Sequence, residues 1–286
     1  MIVDKTSIST KGYRKSIRAR TFVVIFVIVT LGGGVFYAYA QGKSSEKNQQ
    51  ESKARHVSSI PTKTEPLRLE DFQSVITTAK SSVVEIKGEG CGGLISGTGF
   101  VVAPNLVATN AHAVAGISSP YVHDGNGDHG ATTILFDPNL DFAIVRTAQL
   151  AGKPLSLDAP SSGVSLGGSH DNERTVMLGY PGGDNFKATI ADIKSEYAAQ
   201  MYDIYGEKLG AERDLFSLST KIIPGNSGSP IVQQNGLVAG VVFGIDPSAS
   251  HTGLALPAIE FSEMVQRAKN LTSPVDTRTC AAEGIR

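Results

Sequence analysis

Hydrophobic and polar positions divide the chain into three stretches with different patterns. Residues 21–40 are apolar and uncharged, residues 41–66 are almost entirely polar, and short apolar runs alternate with glycine-rich turns from Leu67 onward. A helix as long as the first stretch spans roughly 30 Å, the thickness of the hydrocarbon layer of a bilayer. The pattern therefore predicts a transmembrane anchor over 21–40, a flexible linker over 41–66 and a folded domain over 67–286.

The folded stretch has the pattern of an all-β domain with a short helix at each end. Apolar residues recur at helical spacing over 67–79 and over 257–269, where a proline occupies the first turn. Short β-branched runs bounded by Gly, Pro, Asn or Asp predict strands between the helices, at 82–86, 97–102, 106–109, 132–136, 142–147, 175–178, 187–193, 215–219, 230–233, 237–243 and 253–256. Short strands at regular intervals are typical of a β-sandwich or of paired barrels.

Composition and charge narrow the class of protein. The 31 glycines and the absence of Trp argue against a coiled coil or a helical repeat. The formal net charge of -1 provides no basic surface for nucleic acid, so no nucleic-acid partner is expected. Residues 1–40, however, carry six Lys or Arg and one acid. This basic cluster predicts that residues 1–20 stay in the cytoplasm and that the folded domain lies outside the membrane.

Two further features bear on export. Residues Ala38, Tyr39 and Ala40 have the small-x-small pattern of a signal-peptide cleavage site. A signal peptide cleaved after Ala40, giving a secreted protein, is therefore the alternative to an anchor. Cys91 and Cys280 are the two cysteines of the chain. An even number in an oxidising compartment agrees with a disulfide, and two unpaired thiols are the alternative.

Three short segments carry residue types suited to nucleophilic catalysis. They are TNAHAVAG with His112, LDFAIV with Asp141 and PGNSGSP with Ser227. A serine hydroxyl is a weak nucleophile, so a histidine must take its proton and a carboxylate must hold that histidine in one tautomer. The glycines beside Ser227 allow the backbone amides of Gly225 and Ser227 to point at one developing oxyanion. Each segment alone is a weak signal, but the three in this order are far more specific.

Two rival designs do not fit the sequence. The α/β-hydrolase elbow requires Gly-x-Ser-x-Gly and the order Ser, Asp, His, whereas Ser229 stands at the second glycine and the order here is reversed. The segment 123–129 resembles the opening of an EF-hand loop. His129 and Leu135 occupy the positions where that loop needs Gly and Glu. We therefore expect a polar hairpin there, with no metal and no cofactor.

The three motifs resemble those of trypsin-like serine proteases with the chymotrypsin fold. TNAHAVAG and PGNSGSP are most similar to the MarP-type acid-resistance membrane serine proteases and to the high-temperature-requirement (HtrA) branch, over roughly residues 67–270. The resemblance implies two six-stranded antiparallel β-barrels with the active site between them. It also implies that Ser227 is the nucleophile, His112 the general base, Asp141 its orienting carboxylate, and Gly225 with Ser227 the oxyanion hole. The reaction implied is peptide hydrolysis through an acyl-enzyme.

The resemblance also implies contacts with the substrate. The strand 241–244 matches the segment that pairs with the substrate backbone and walls the P1 pocket, which assigns Val242, Phe243 and Gly244 to substrate binding. Lys221, six residues before Ser227, matches the floor of that pocket. A MarP-type protease also has one disulfide joining the start of its catalytic domain to the C-terminal end, which favours a bond between the two cysteines here.

The chain departs from these relatives in three ways. It has Ser229 in place of the second glycine of the serine motif, one hydrophobic segment in place of several, and no stretch that predicts a PDZ domain. None of the three triad residues is missing. The sequence therefore predicts an exported, membrane-anchored serine endopeptidase acting on protein or peptide substrates, with a role in the envelope stress response. The alternative is a catalytically silent or stress-gated peptide-binding module that uses the same cleft.

Overall fold

The fold is described from a computed structural model, which covers residues 68–159, 170–183, 185–246, 249 and 252–282. The expected cytoplasmic segment 1–20, the anchor or signal segment 21–40 and the linker 41–66 lie outside these residues. Among the helices described, none is long and apolar enough to cross a membrane.

The first half of the domain is a closed six-stranded antiparallel barrel, in the order β1-β2-β3-β6-β5-β4. Its strands are β1 Val83–Gly90, β2 Gly93–Ala103, β3 Leu106–Thr109, β4 Tyr121–His123, β5 Asp128–Asp137 and β6 Phe142–Thr147. Most residues of β2, β3 and β6 are buried, because these strands line the barrel interior and also pack against the second half. The barrel predicted for this half is confirmed.

The second half is a seven-stranded sheet in the order β8-β7-β11-β12-β13-β10-β9. Its strands are β7 Thr175–Gly179, β8 Lys187–Ile190, β9 Ile193–Tyr202, β10 Leu209–Leu218, β11 Pro230–Gln233, β12 Val238–Ile245 and β13 Gly253–Pro257. The end strands β8 and β9 are consecutive along the chain and are joined by only two residues. The sheet must therefore curl so that its two ends approach each other.

This second half differs from the six-stranded barrel implied by the resemblance. A single strand was predicted over 187–193, and the structure divides this region into β8 and β9 at Ala191 and Asp192. The division arises because Ala191 N–H donates to Thr175 O at 3.0 Å and Ile193 N–H donates to Glu173 O at 2.9 Å, outside the regular ladder. The described strands of this half therefore form an open sheet of seven strands.

Two helices cover the described ends of the domain. A 3-10 turn over Leu69–Phe72 leads into α1 Gln73–Ala79, and α2 Ala258–Ala268 follows β13. Both helices lie within the ranges predicted from apolar spacing. Phe261 of α2 is fully buried and stacks on Phe142 at the start of β6, with ring centroids 4.7 Å apart. The helix from the second half thereby packs directly behind the strand that follows Asp141.

The C-terminal segment after α2 crosses back to the first barrel. Cys280 forms a disulfide with Cys91, as predicted. The tail also makes hydrogen bonds to the first barrel. Thr277 is buried, its hydroxyl donates to Ile117 O at 3.2 Å, and its carbonyl accepts from Gly116 N–H at 3.4 Å. Backbone hydrogen bonds, which composition does not reveal, thus hold the tail together with the covalent bond.

Candidate active site

His112 and Asp141 are brought together by strand pairing in the first barrel. Strands β3 and β6 are antiparallel neighbours, with Thr109 opposite Ala143. His112 follows the end of β3 by three residues and Asp141 immediately precedes β6. Because the end of one strand lies beside the start of the other, the two side chains emerge at the same end of the barrel.

The two side chains form a buried hydrogen-bonded pair. His112 Nδ1 lies 2.7 Å from Asp141 Oδ2, and the His112 backbone N–H donates to Asp141 Oδ1 at 2.9 Å. Their side chains are 4% and 1% exposed, so water competes little for these bonds. With Nδ1 bound to the carboxylate, the neutral imidazole presents Nε2 as a proton acceptor. His112 Nε2 has no hydrogen-bond partner within the described residues.

The backbone at Asp141 is held in an unusual conformation. Its φ is 57°, in the left-handed region that glycine, Asn and Asp tolerate best. Asn110 Nδ2 donates to Asp141 O at 3.0 Å. The carboxyl of Asp137 accepts the N–H groups of Asn139 and Leu140, which tightens the turn before Asp141. Both contacts fix the direction in which the Asp141 carboxylate points.

Ser227 lies on a turn between two glycines that no other residue type could replace without strain. Gly225 has φ 89°, and a Cβ there would lie 2.4 Å from Tyr180 O. Gly228 has φ 85°, and a Cβ there would lie 1.9 Å from Thr98 O. The absence of both side chains lets the turn approach the backbone of β2 and of the segment after β7. Ser227 itself is half-buried.

Ser227 and His112 open onto the same cavity. This space of about 390 Å³ is lined by residues of the β1–β2 hairpin, the His112 loop and the serine turn, namely Gly90–Ser96, His112, Ala113, Pro224, Gly225 and Ser227. No acidic residue, lysine or arginine lines it. Cys91, which carries the disulfide, is at its edge. The described residues contain no group of His, Cys, Asp and Glu side chains that could hold a metal ion.

The residues assigned to substrate binding lie along and near β12. Val242 is fully buried, and its N–H and C=O are both engaged, with Ser229 O and Gly228 N–H, each at 2.9 Å. Phe243 lies in a bulge between Val242 and Gly244, and β13 flanks this part of the strand on one side. Pairing with β11 has ended by then, at Val241. Phe243 to Ile245 therefore present a strand edge that no described strand occupies.

Lys221, the expected floor of the P1 pocket, is exposed. It follows Thr220, which is buried, and precedes Ile222, which packs in the core of the second half. The described contacts do not bring its ammonium group to Ser227 or His112.

Ser229, where the family motif has a second glycine, is accommodated by a glycine on the facing strand. Ser229 is fully buried, and a Cβ on Gly179 would lie 2.1 Å from its hydroxyl oxygen. Gly179 ends β7 and therefore leaves the room that the Ser229 side chain needs. The substitution changes a buried contact behind the turn and leaves the Ser227 side untouched.

Sequence reasoning missed two buried residues that hold these loops. Thr98 of β2 is fully buried and contacts the serine turn, and Arg213 of β10 donates from Nη1 to Asn139 O, two residues before Asp141. Burial lowers the pKa of the Arg213 guanidinium, and the negative charge of Asp141 acts in the opposite direction.

The sequence signal for Thr98 was its flanking glycines, because glycines in a strand indicate a close backbone approach. A Cβ at Gly97 would lie 3.4 Å from Ser227 O. No comparable signal marks Arg213.

Comparisons with known proteins agree with this geometry. The family model for the trypsin-like peptidase domain matches residues 97–241. Serine protease Rv3671c of Mycobacterium tuberculosis is 35% identical over 210 residues, which cover 73% of this chain and 51% of the relative. The chain thus spans about half the length of this curated relative.

Solved structures give the same result. The crystal structure of the active form of the Rv3671c protease has a TM-score of 0.69 and 34% identity, with 76% of this chain and 93% of that chain covered. The HtrA-type protease AlgW, solved with a tripeptide, has a TM-score of 0.56 at 20% identity and covers 70% of this chain and 64% of that one. The likeness to AlgW concerns the fold. The chain therefore belongs to the trypsin-like peptidase family and is related to serine protease Rv3671c.

Proposed function

We propose that this chain is a serine endopeptidase in which Ser227 attacks the peptide carbonyl, His112 takes the serine proton and Asp141 orients His112. The observation that supports this most strongly is the His112–Asp141 pair. Its 2.7 Å bond fixes the imidazole, Nε2 is unpartnered within the described residues, and His112 lines the same cavity as Ser227. A buried carboxylate bonded to Nδ1 selects the tautomer that can act as a base at Nε2.

The chemistry follows from these positions. As Ser227 Oγ bonds to the carbonyl carbon, its proton moves to His112 Nε2 and the carbonyl oxygen becomes an oxyanion. The N–H groups of Gly225 and Ser227 donate to that oxygen. His112 then passes the proton to the leaving amine nitrogen, the C–N bond breaks, and an acyl-enzyme remains. Water repeats the sequence with His112 as base, which releases the acid and restores the serine.

The acyl side of the substrate would bind at the free edge of β12. An extended peptide can add to an unpaired strand edge through main-chain hydrogen bonds. Phe243, Gly244 and Ile245 offer such an edge, whereas the backbone groups of Val242 are already engaged. The cavity beside the β1–β2 hairpin has no residue of β12 in its lining. We assign it to the leaving-group side of the substrate.

We further propose that the protease domain is extracytoplasmic and anchored by residues 21–40, with a role in the envelope stress response. The uncharged stretch over 21–40, the basic residues before it and the Cys91–Cys280 disulfide support an exported domain. Cleavage after Ala40, which would release the domain, is the alternative. Membrane fractionation of the expressing cells with and without detergent distinguishes the two.

The second candidate function, a silent or gated peptide-binding module, also rests on one observation. His112 Nε2 accepts no hydrogen bond within the described residues, so the Ser227 hydroxyl is not bonded to its base. Such bonds are often long in substrate-free enzymes and tighten when substrate binds. We therefore favour the endopeptidase.

Labelling with a fluorophosphonate probe tests the proposal. The full chain in detergent should be labelled at Ser227 and should hydrolyse an unfolded protein substrate. Ser227→Ala and His112→Ala should each lower the rate by several orders of magnitude, and the double variant should lose little more. Ser219→Ala, an exposed serine of the same half, is the matched control and should behave as wild type. Undiminished hydrolysis by Ser227→Ala would refute the assignment.

A further inference from the structure

The four consecutive carbonyls of the serine turn from Pro224 to Ser227 all accept hydrogen bonds. Pro224 O accepts from Gly182 N–H at 2.8 Å, and Gly225 O accepts from the Thr98 hydroxyl at 2.7 Å. Asn226 O accepts from Ser229 N–H at 3.0 Å, and Ser227 O accepts from Thr98 N–H at 2.7 Å. By contrast, the N–H groups of Gly225 and Ser227 donate to no acceptor in the described part of the chain. The turn thus has all its acceptors engaged and two donors free.

This arrangement determines where the free donors point. In a trans peptide the C=O and the N–H lie on opposite sides of one rigid plane. Gly182 N–H binds the oxygen of the Pro224–Gly225 peptide, so the Gly225 N–H is directed away from Gly182. Rotating that plane by half a turn would put a carbonyl oxygen where the donor stands and would break the bond to Gly182. The N–H of Ser227 belongs to the Asn226–Ser227 peptide, whose oxygen accepts from Ser229 N–H, so that donor is opposed to a flip in the same way. Thr98 engages the oxygens of the two peptides that flank this plane, Gly225–Asn226 and Ser227–Gly228.

Thr98 holds two of these carbonyls and its own hydroxyl is oriented. Its Oγ accepts from Tyr180 N–H at 2.9 Å, which leaves the hydroxyl proton for Gly225 O. Its backbone N–H binds Ser227 O, so one residue of β2 contacts both ends of the turn segment from Gly225 to Ser227. Thr98 is fully buried, where hydrogen bonds are not exchanged with water.

The segment after β7 contributes the other support. Tyr180 N–H orients the Thr98 hydroxyl, and Gly182 N–H binds Pro224 O. Gly182 has φ 75° and directs its N–H toward the serine turn. The segment Tyr180–Gly183 thus supports the serine turn, through Thr98 at one position and directly at another.

We infer that Thr98, with the Tyr180–Gly183 turn, is a positioning element that holds the Gly225 and Ser227 N–H groups ready for the oxyanion. This inference rests on the proposed function, since it concerns the same reaction. Thr98 touches no reacting atom. It acts through the peptide planes on either side of the Asn226–Ser227 peptide, which restrict how that donor plane and its neighbours can rotate, so its loss should affect the transition state far more than the bound substrate.

Thr98→Val tests the inference, because valine keeps the shape and removes the hydroxyl. In the full chain, kcat should fall about 10- to 100-fold, less than the roughly 100- to 1,000-fold cost of deleting an oxyanion donor itself, and KM should stay within about twofold. A peptide aldehyde forms a tetrahedral adduct with Ser227 whose oxygen occupies the oxyanion site. Its inhibition constant should rise by the same factor as kcat/KM falls.

Thr147→Val is the matched control. Thr147 is also buried, and its hydroxyl donates to Gly130 O at 2.9 Å in the first barrel, far along the chain from the serine turn. This variant should lose thermal stability to a similar degree and keep the kcat and aldehyde inhibition of wild type. Equal losses of kcat in the two variants would reduce Thr98 to a structural residue and overturn the inference.

A second pair of variants applies if Thr98→Val does not fold. Thr98→Ser keeps the hydroxyl and should retain most of kcat, whereas Thr98→Cys has a similar size but only a weak S–H donor and should lose most of it. Equal kcat in these two would overturn the inference. Failure of the proposed function is separately recognisable, because Ser227→Ala would then remain active.

Discussion

The two halves of the domain hold their reactive groups in different ways. In the first barrel, His112 and Asp141 are joined directly to each other, and both emerge from the neighbouring strands β3 and β6. In the second half, Ser227 sits on a glycine turn ahead of β11, and its neighbours are held by a residue of the other half. Thr98 reaches the Gly225 carbonyl from 127 positions away in the sequence. The position of His112 depends on strand register, and the position of Ser227 depends on contacts between the halves.

The dependence also runs in the opposite direction. Arg213 of β10 donates to Asn139 O in the turn before Asp141, and Ile204 N–H donates to Pro138 O at 3.0 Å. Arg213 Nε has no hydrogen-bond partner among the described groups, so this buried cation is incompletely satisfied. Each half therefore forms hydrogen bonds that hold a turn of the other half: the serine turn in one case and the turn before Asp141 in the other. The two halves differ in that His112 and Asp141 are also hydrogen-bonded to each other, whereas His112 Nε2 makes no hydrogen bond to Ser227.

Breaking the pair in the first barrel should have the largest effect. Asp141→Asn keeps the size of the side chain but removes the carboxylate that selects the His112 tautomer. We expect kcat/KM at neutral pH to fall by about 10⁴-fold, with the melting temperature little changed. Initial rates on a peptide substrate, combined with a thermal melt, measure both quantities.

Asp124→Asn is the control for that experiment. Asp124 is buried in the same barrel, and its carboxylate accepts from the N–H groups of Asn126 at 2.9 Å and Ala151 at 3.2 Å. This variant should lose stability and keep wild-type kcat/KM. If Asp141→Asn retained activity within tenfold of wild type, Asp141 would not be the orienting carboxylate.

Removing the disulfide should have an intermediate effect. The Cys91–Cys280 bond closes a loop with a sequence separation of 189. Chain-entropy estimates give up to about 5 kcal/mol of stabilisation for so long a loop, and native strain usually reduces that value. We expect no free thiols in the unfolded, unreduced protein, and a lower melting temperature after reduction. The Cys91→Ser/Cys280→Ser variant should melt at the reduced value with or without reductant.

The same experiment sharpens the comparison between the halves. The tail bound by Cys280 contacts the His112 loop through Gly116 and Ile117. If the His112–Asp141 pair is held chiefly by β3 and β6, reduction should cost far less activity than Asp141→Asn. A loss of activity as large as that of Asp141→Asn would mean that the tail, rather than strand register, positions His112.

Local patterns predicted those elements whose burial follows the sequence. The bounds of β3, β6 and β11 agree with the predicted runs, because each is short, mostly apolar and almost entirely buried. The β9–β10 hairpin was largely missed. Strand β9 contains Lys194, Glu196 and Gln200 and alternates poorly between buried and exposed positions. Tertiary pairing with β10, rather than local preference, makes it a strand.

The residues of the candidate site also differ in how far the local sequence predicts them. His112, Asp141 and Ser227 were visible because their chemistry and the glycines around the serine are local features of sequence. Arg213 was not visible, since an ordinary arginine acquires its role only through contacts with a turn distant in sequence. The glycines beside Thr98 indicate a close backbone approach but do not show which turn it contacts. The pairing of β12 with Ser229 and Gly228, which engages Val242, likewise depends on the folded register. Reactive groups can be predicted from sequence more readily than the residues that position them.

The smallest expected effect concerns His170, in the second half and outside the serine turn. His170 Nδ1 lies 2.5 Å from Glu173 Oε2, Asp158 is 3.9 Å from Nε2, and Glu196 accepts the His170 backbone N–H at 3.5 Å. The hydrogen bond to Glu173 raises the pKa of His170, while burial opposes that shift. Burial also raises the pKa of Glu196, so this neighbour loses its negative charge more readily as the pH falls.

The sign of the pH dependence follows from the raised pKa of His170. The folded state binds the proton more tightly than the unfolded state, so the pair stabilises the fold fully below the unfolded value of about 6.5 and loses that contribution as the pH rises through the folded value. His170→Gln should therefore lower the melting temperature more at pH 5.5 than at pH 8.5. Its kcat/KM at neutral pH should equal that of wild type, because His170 contacts neither the His112–Asp141 pair nor the serine turn. A difference in melting temperature between variant and wild type that is the same at both pH values would exclude this protonation-linked contribution.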